Sequence, residues 1–143
     1  MDDQVDSEYL ERYKRHILIR NIGGQGQRRL VQAKVLVVGL GGIGSTVLQH
    51  LAAVGIGKIG LVDRDNVELS NLQRQTIYKY EDIGRKKVSV ASNFVKKLNK
   101  NVEITEYNFF LSGDSTSKIM SEYDVVLDGT DNVETSKLIN KYC

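Results

Sequence analysis

The apolar positions of this chain fall into short continuous runs separated by stretches with a helical repeat. Val35-Leu-Val-Val38 is one such run, the pattern of a strand buried on both faces. It gives way to Gly39-Leu-Gly41-Gly42-Ile-Gly44, with glycines at G-x-G-x-x-G spacing, and then to Ile43–Val54, which reads as a helix. Lys58-Ile-Gly-Leu-Val62 is a second apolar run, ending in Asp63. Glu103–Asn108 alternates as a strand, and Asp124-Val-Val-Leu-Asp128 is a short buried one. The 3.6-residue period predicts a helix within Asp82–Leu98, with Val88, Ala91, Val95 and Leu98 on its stripe, and further helices over Asp114–Glu122 and Val133–Cys143. Upstream, Ser7–Ile19 is an amphipathic helix with Ser7 as N-cap and Leu10, Tyr13, Ile17 and Leu18 on one side. Asn21–Gln27 reads as a glycine-rich turn, Gln27–Gln32 as a short helix, and residues 1–6 as a disordered start. Asn66–Lys79 is polar and without period; inside a compact domain such a segment is either functional or misassigned.

This order of elements predicts an α/β class: a Rossmann-like, mostly parallel sheet with helices on both faces, preceded by an N-terminal helix. Residues 7–32 form the N-terminal helical segment and 33–143 the nucleotide-binding domain. Ligands of such sheets sit at the carboxyl ends of the strands. The polar loops Asp63–Gln75 and Asp128–Asn132 both follow strands, so they should meet at the glycine turn.

The glycines define the first chemistry. One permits a tight turn, one lets backbone approach a phosphate, and one lets the helix pack close to the strand. The helix N-terminus adds free N–H groups and a partial positive charge. Asp63 is placed to accept hydrogen bonds from a ribose hydroxyl. Around this turn the sequence collects Gly39, Gly41, Gly42, Gly44, Asp63, Asp65, Asn71, Arg74, Gln75, Lys87, Asp131 and Asn132. A hydride-transfer site wants a flat nicotinamide pocket, whereas this many charged groups suits a triphosphate, with Mg²⁺ held by an Asp. Composition adds exclusions. The 143 residues suit one domain, and a net charge of +2 makes no case for nucleic acid. No apolar run approaches membrane-spanning length. A single cysteine, Cys143, and an acidic start without a secretory pattern favour the cytoplasm.

The same residues resemble the ubiquitin-activating-like family that includes MoeB, ThiF and HesA. Arg12-Tyr-Lys-Arg15-His is similar to the family's N-terminal Arg-Tyr-x-Arg-Gln, and Gly39–Gly44 to its nucleotide loop. Val62-Asp-Arg-Asp65-Asn-Val-Glu-Leu-Ser-Asn71-Leu-Gln-Arg74-Gln75 resembles its most distinctive signature. Gly84-Arg-Lys-Lys87 resembles its Gly-x-x-Lys, and Asp128-Gly-Thr-Asp131-Asn132 its Asp-x-x-Asp-Asn. The resemblance implies ATP-dependent adenylation of the C-terminal carboxylate of a ubiquitin-like sulfur carrier, with release of pyrophosphate. It implies that Asp63 binds ribose, that Arg74 and Lys87 contact phosphates, that Asp131 holds Mg²⁺, and that Asn71 and Gln75 position phosphates. It also implies a homodimer in which Arg15 reaches the neighbouring subunit's ATP.

Three departures matter. His16 stands where Gln is common. Lys86 precedes Lys87 where Pro is common, so two lysines compete for one role. The family's C-terminal half, which supplies the carrier-binding face, the crossover loop and in many members a Cys-x-x-Cys zinc site, has no counterpart in these residues, so the chain reads as truncated and zinc is expected only in that half. Other readings stay open: a family member that adenylates a peptide or tRNA carboxylate, an NAD-dependent oxidoreductase using the same glycine loop, or a non-catalytic module. Asp65 and Asp131 also suit helix N-caps, Cys143 reads as a buried helical residue, and Tyr78-Lys-Tyr-Glu-Asp82 as loop surface.

Overall fold

A computed structural model describes residues 7–143; the start expected to be disordered, residues 1–6, lies outside them. In chain order the elements are α1 (Ser7–Ile17), α2 (Gly23–Gln32), β1 (Lys34–Val38), α3 (Gly42–Val54), β2 (Lys58–Val62), α4 (Lys87–Leu98), β3 (Glu103–Tyr107), α5 (Gly113–Met120), β4 (Val125–Asp128) and α6 (Val133–Tyr142). The sheet order is β3-β2-β1-β4, and every pairing is parallel. The chain winds outward from β1 through β2 to β3 and then returns to add β4 on the other side of β1. The switch in direction therefore falls between β1 and β4, where open α/β sheets form their binding crevice.

The alternation of β1 supplies both faces of the core. Val35 and Val37 pack with Leu48, Ala52, Ile59, Leu61, Val88, Ala91 and Val95 on the side of α3 and α4. Leu36 and Val38 pack with Val62, Leu111, Met120, Tyr123 and Ile139 on the side of α5 and α6. The expected Rossmann-like α/β architecture is the one observed.

Three local expectations change. The first helix ends at Ile17, and Leu18 is 82% exposed; α1 is anchored by Tyr13, whose hydroxyl accepts from Asn99 Nδ2 at 2.9 Å. The segment read as a glycine-rich turn is already helical from Gly23. Glycine weakens a helix by roughly 1 kcal/mol per residue, but tertiary contacts hold this one. Gln27 is buried, donates to the Val54 carbonyl at 2.9 Å and meets His16 Nδ1 at 2.8 Å. Cys143 is exposed rather than buried: it lies one turn beyond Ile139, the buried residue of α6, and past the helix's last residue, Tyr142.

The long segment after β2 is ordered by its own ends. Val67 N–H donates to the Arg85 carbonyl and Gly84 N–H to the Val67 carbonyl, both at 2.8 Å, while Lys87 N–H reaches the Asp65 carbonyl at 3.0 Å. Val67, Ile77 and Tyr78 are buried in the larger core cluster. The connection is thus a closed excursion that returns the chain to α4 beside the end of β2.

Candidate functional site

The carboxyl ends of β1, β2 and β4 open into a cavity of about 560 Å³. Its floor is the turn between β1 and α3. Gly39 sits at φ +84°, in the left-handed region that favours glycine. Ser45 N–H makes the first bond of the α3 ladder, to the Gly41 carbonyl at 3.0 Å. The N–H groups ahead of it have no partner within the helix and carry the positive end of its dipole. Gly41 and Gly42 line the cavity, whereas Gly44 is buried behind it.

The loop after β2 forms one wall. Asp63 is half-buried; its Oδ2 accepts from Leu40 N–H at 2.7 Å and its Oδ1 from Asp65 N–H at 2.8 Å. It therefore braces the glycine turn, and a ribose would have to share its remaining lone pairs. Asn71 lines the cavity and also accepts from Glu68 N–H at 2.9 Å, closing a short 3₁₀ turn. Arg74 is exposed, donates to the Ser70 carbonyl at 3.2 Å, and lays its aliphatic stem beside Gly42. Gln75 is 2% exposed, and its Oε1 has no hydrogen-bond partner among the described residues. A buried acceptor left in that state costs about 1–3 kcal/mol, so a donor arriving from the cavity would relieve it.

Of the two competing lysines, Lys86 is exposed and Lys87 is 5% exposed. Lys87 Nζ lies 3.6 Å from Asp65 Oδ2 and lines the cavity. Asp65 is thus paired with Lys87 and is no helix cap. Asp131 and Asn132 come from the loop after β4. The cap of α6 is Asn132, whose Oδ1 accepts from Thr135 N–H at 3.1 Å, which leaves Asp131 exposed at the cavity edge. Below them, burial alone would raise the Asp128 carboxyl, but hydrogen bonds from Ser136 and Thr130 prevail and hold it below its ordinary 3.8.

The expected site residues therefore meet in one cavity except Gly44, which is buried behind the turn, and Arg15, which is exposed on α1 and does not line it. Among the described residues no cluster of three or more His, Cys, Asp or Glu forms a metal cage. Magnesium does not need one, since it keeps its waters and takes one or two carboxylates plus substrate phosphates. Asp131 fits that demand as a hard oxygen donor.

Several neighbours of the site were not legible in the sequence. Phe109 and Phe110 line the cavity, and the Arg64 guanidinium lies 3.5 Å from the centre of the Phe110 ring. Tyr78 and Asp82, expected on the loop surface, are both buried. The Tyr78 hydroxyl donates to the Leu40 carbonyl at 2.8 Å; burial and the charges of Asp63 and Asp65 push its pKa well above 10, so it stays a protonated donor. Asp82 accepts from Arg85 at 2.7 Å and from Lys79 N–H at 3.0 Å. Gly129 touches the glycine turn: a Cβ there would lie 2.9 Å from the Gly39 carbonyl oxygen and 3.0 Å from Gly44 Cα.

A glycine turn at the switch point of a doubly wound sheet, walled by cationic and amide side chains, defines an anion-binding α/β domain. The chain belongs to the ThiF family, whose model matches residues 13–143. It is 43% identical over 133 residues to a sulfur carrier protein adenylyltransferase from Thermus thermophilus, a match covering 93% of this chain and 49% of that protein. It is 40% identical over 139 residues to a SAMP-activating enzyme E1 from Haloferax volcanii, covering 97% of this chain and 52% of that one. Among solved structures, the E. coli tRNA N6-threonylcarbamoyladenosine dehydratase TcdA in complex with AMP superposes with a TM-score of 0.90 at 28% identity, over 97% of this chain and 57% of that one. E. coli MccB with ATP gives 0.82 at 31% identity, over 96% and 42%. The chain thus spans about half the length of these relatives or less. No helix of the described residues is long and apolar enough to cross a membrane.

Proposed function

We propose that this chain is the adenylating part of a cytoplasmic enzyme that activates the C-terminal carboxylate of a ubiquitin-like sulfur carrier with ATP. The observation that carries this reading is the meeting, in one cavity, of the buried Lys87, the unpartnered Gln75 Oε1, Arg74 and the glycine turn. That set is directed at phosphates. The Thermus sulfur carrier adenylyltransferase and the Haloferax SAMP-activating enzyme support the carrier as acceptor, and the structural neighbours in complex with AMP and ATP support the nucleotide.

In the proposed reaction a carrier carboxylate oxygen attacks the α-phosphorus of ATP. The bond from that phosphorus to the bridging oxygen breaks, and pyrophosphate leaves with the electron pair, giving an acyl-adenylate. The nucleophile is ionised at neutral pH, so no general base is required. The protein's work is positioning and electrostatic stabilisation. The Gly41 and Gly42 backbone receives phosphate oxygens, Lys87 and Arg74 neutralise charge at the α-phosphorus, Gln75 and Asn71 orient the phosphates, and Asp63 holds the ribose while bracing the turn. Asn132 fixes the loop that carries Asp131. Asp131 would hold magnesium, which would supply further charge neutralisation.

Carrier-dependent exchange between ATP and pyrophosphate in the full-length protein tests the reading. Exchange is expected with a sulfur carrier, and tight binding of NAD with none of ATP·Mg²⁺ would sink it. TcdA and MccB are structural neighbours as well, so exchange driven by a tRNA or a peptide instead of a carrier would move the acceptor and keep the nucleotide chemistry.

The active unit in this proposal is a homodimer, with Arg15 completing the partner's site. Its motive is the exposed Arg15 on a helix whose apolar Leu10 is also exposed. Arg15→Ala and Asp131→Ala are each expected to be nearly inactive alone. Mixed, they should recover to about a quarter of wild-type activity, because half the dimers are mixed and each holds one intact site. Absence of recovery, with subunit exchange confirmed, rules out donation in trans.

A further inference from the structure

Leu40 lies between Gly39 and Gly41, and side chains from outside the turn hold both of its backbone polar groups. Its N–H donates to Asp63 Oδ2 at 2.7 Å, and its carbonyl accepts from the Tyr78 hydroxyl at 2.8 Å. A peptide unit is planar and trans, so fixing one of its polar groups fixes the other; the described residues contain no cis bond. The Asp63 bond sets the Gly39–Leu40 plane, and with it the Gly39 carbonyl that packs against Gly44 and Gly129. The Tyr78 bond sets the Leu40–Gly41 plane, and with it the Gly41 N–H, which leaves the backbone on the side away from Tyr78. Gly41 lines the cavity. Glycines flanking Leu40 would otherwise let these planes rotate at little cost. Tyr78 itself cannot wander: it is 4% exposed and sits in the core cluster with Leu40, Val67 and Ile77.

We propose that Tyr78 is a positioning residue for the nucleotide turn, its hydroxyl locking the Leu40–Gly41 peptide so that the Gly41 N–H is presented to the phosphates. This rests on the ATP reading above and goes beyond it. Tyr78 touches no phosphate; it acts through the backbone it holds.

The test compares ATP and adenosine binding by titration in wild type, Tyr78→Phe and Tyr80→Phe. Tyr80 is 76% exposed and serves as the control. Tyr78→Phe removes one hydrogen bond and leaves the ring; the expected result is a dissociation constant for ATP raised about tenfold, with that for adenosine unchanged. Tyr80→Phe should match wild type for both. Unchanged ATP affinity in Tyr78→Phe, or equal weakening for ATP and adenosine, overturns the proposal while leaving the ATP reading in place. A wild-type protein that binds no ATP overturns both. Amide exchange in the wild type decides the matter even where Tyr78→Phe folds poorly. On adding ATP, exchange should slow at Gly41 and stay as it was at Leu40, which Asp63 already protects. Slowing at Leu40 with none at Gly41 overturns the assignment.

Discussion

Replacing Lys87 with alanine is expected to lower ATP–pyrophosphate exchange by about 10²–10³-fold, the range for losing one preorganised donor to a developing charge. Lys86→Ala is expected to stay within about twofold of wild type, as an exposed substitution should. The two residues are adjacent, but Lys86 is the extended residue ahead of α4 and Lys87 its first helical one, and of the two Lys87 lines the cavity. Lys87 is the buried one, at the first turn of α4, where a cation meets the positive end of the dipole. Neither burial nor the dipole favours a charge there. What holds it is Asp65 at 3.6 Å, a partner that is itself more than half exposed and only one of the acceptors an ammonium group can take. The position suits a cation that completes its coordination with phosphate oxygens. Exchange rates and ATP affinities of the two variants are the measurement. A larger loss for Lys86→Ala overturns the choice of Lys87, and equal small losses remove lysine from the mechanism.

The sequence carried the architecture because β1 and β2 are continuous apolar runs and the glycine spacing marks the turn from β1 into α3. It could not carry features that depend on distant contact. The 66–86 connection has no period because its order comes from backbone bonds between its two ends and from Val67, Ile77 and Tyr78 dipping singly into the core. Tyr78 therefore looks like surface in a run of polar neighbours, and the carbonyl it holds is thirty-eight residues away. Asp63 was read as a ribose acceptor, but its bond to Leu40 N–H was not legible, since a carboxylate ending a strand looks the same whether or not a turn folds back onto it. Asp131 suited a helix cap in the sequence; the geometry gives the cap to Asn132 instead. Arg64 over Phe110 joins two loops that no local pattern links.

The glycines of the turn are expected to separate into two kinds when each is changed to alanine. At Gly44 a Cβ would overlap the Gly39 carbonyl oxygen and lie 2.9 Å from its carbon. The clash is with backbone, so no side-chain rotation relieves it, and the whole of α3 would have to move away from β1. Overpacking a core costs about 1–3 kcal/mol where atoms can shift; here the expected loss reaches the upper end of that range or beyond, read as a lower urea midpoint, and ATP binding fails with it. At Gly41 a Cβ would meet only Gln75 Nε2, at 3.7 Å, an ordinary contact, and at Gly42 only the Arg74 stem at 3.6 Å. Gly41→Ala and Gly42→Ala should therefore keep the wild-type urea midpoint. Their methyl groups would stand on the cavity floor, where the proposed phosphates approach the backbone, so ATP affinity should fall by about tenfold or more. Stability and affinity measured on the same three variants separate a glycine needed for packing from a glycine needed for a ligand. Gly41→Ala with unchanged stability and unchanged ATP affinity would place the phosphates elsewhere than on this turn.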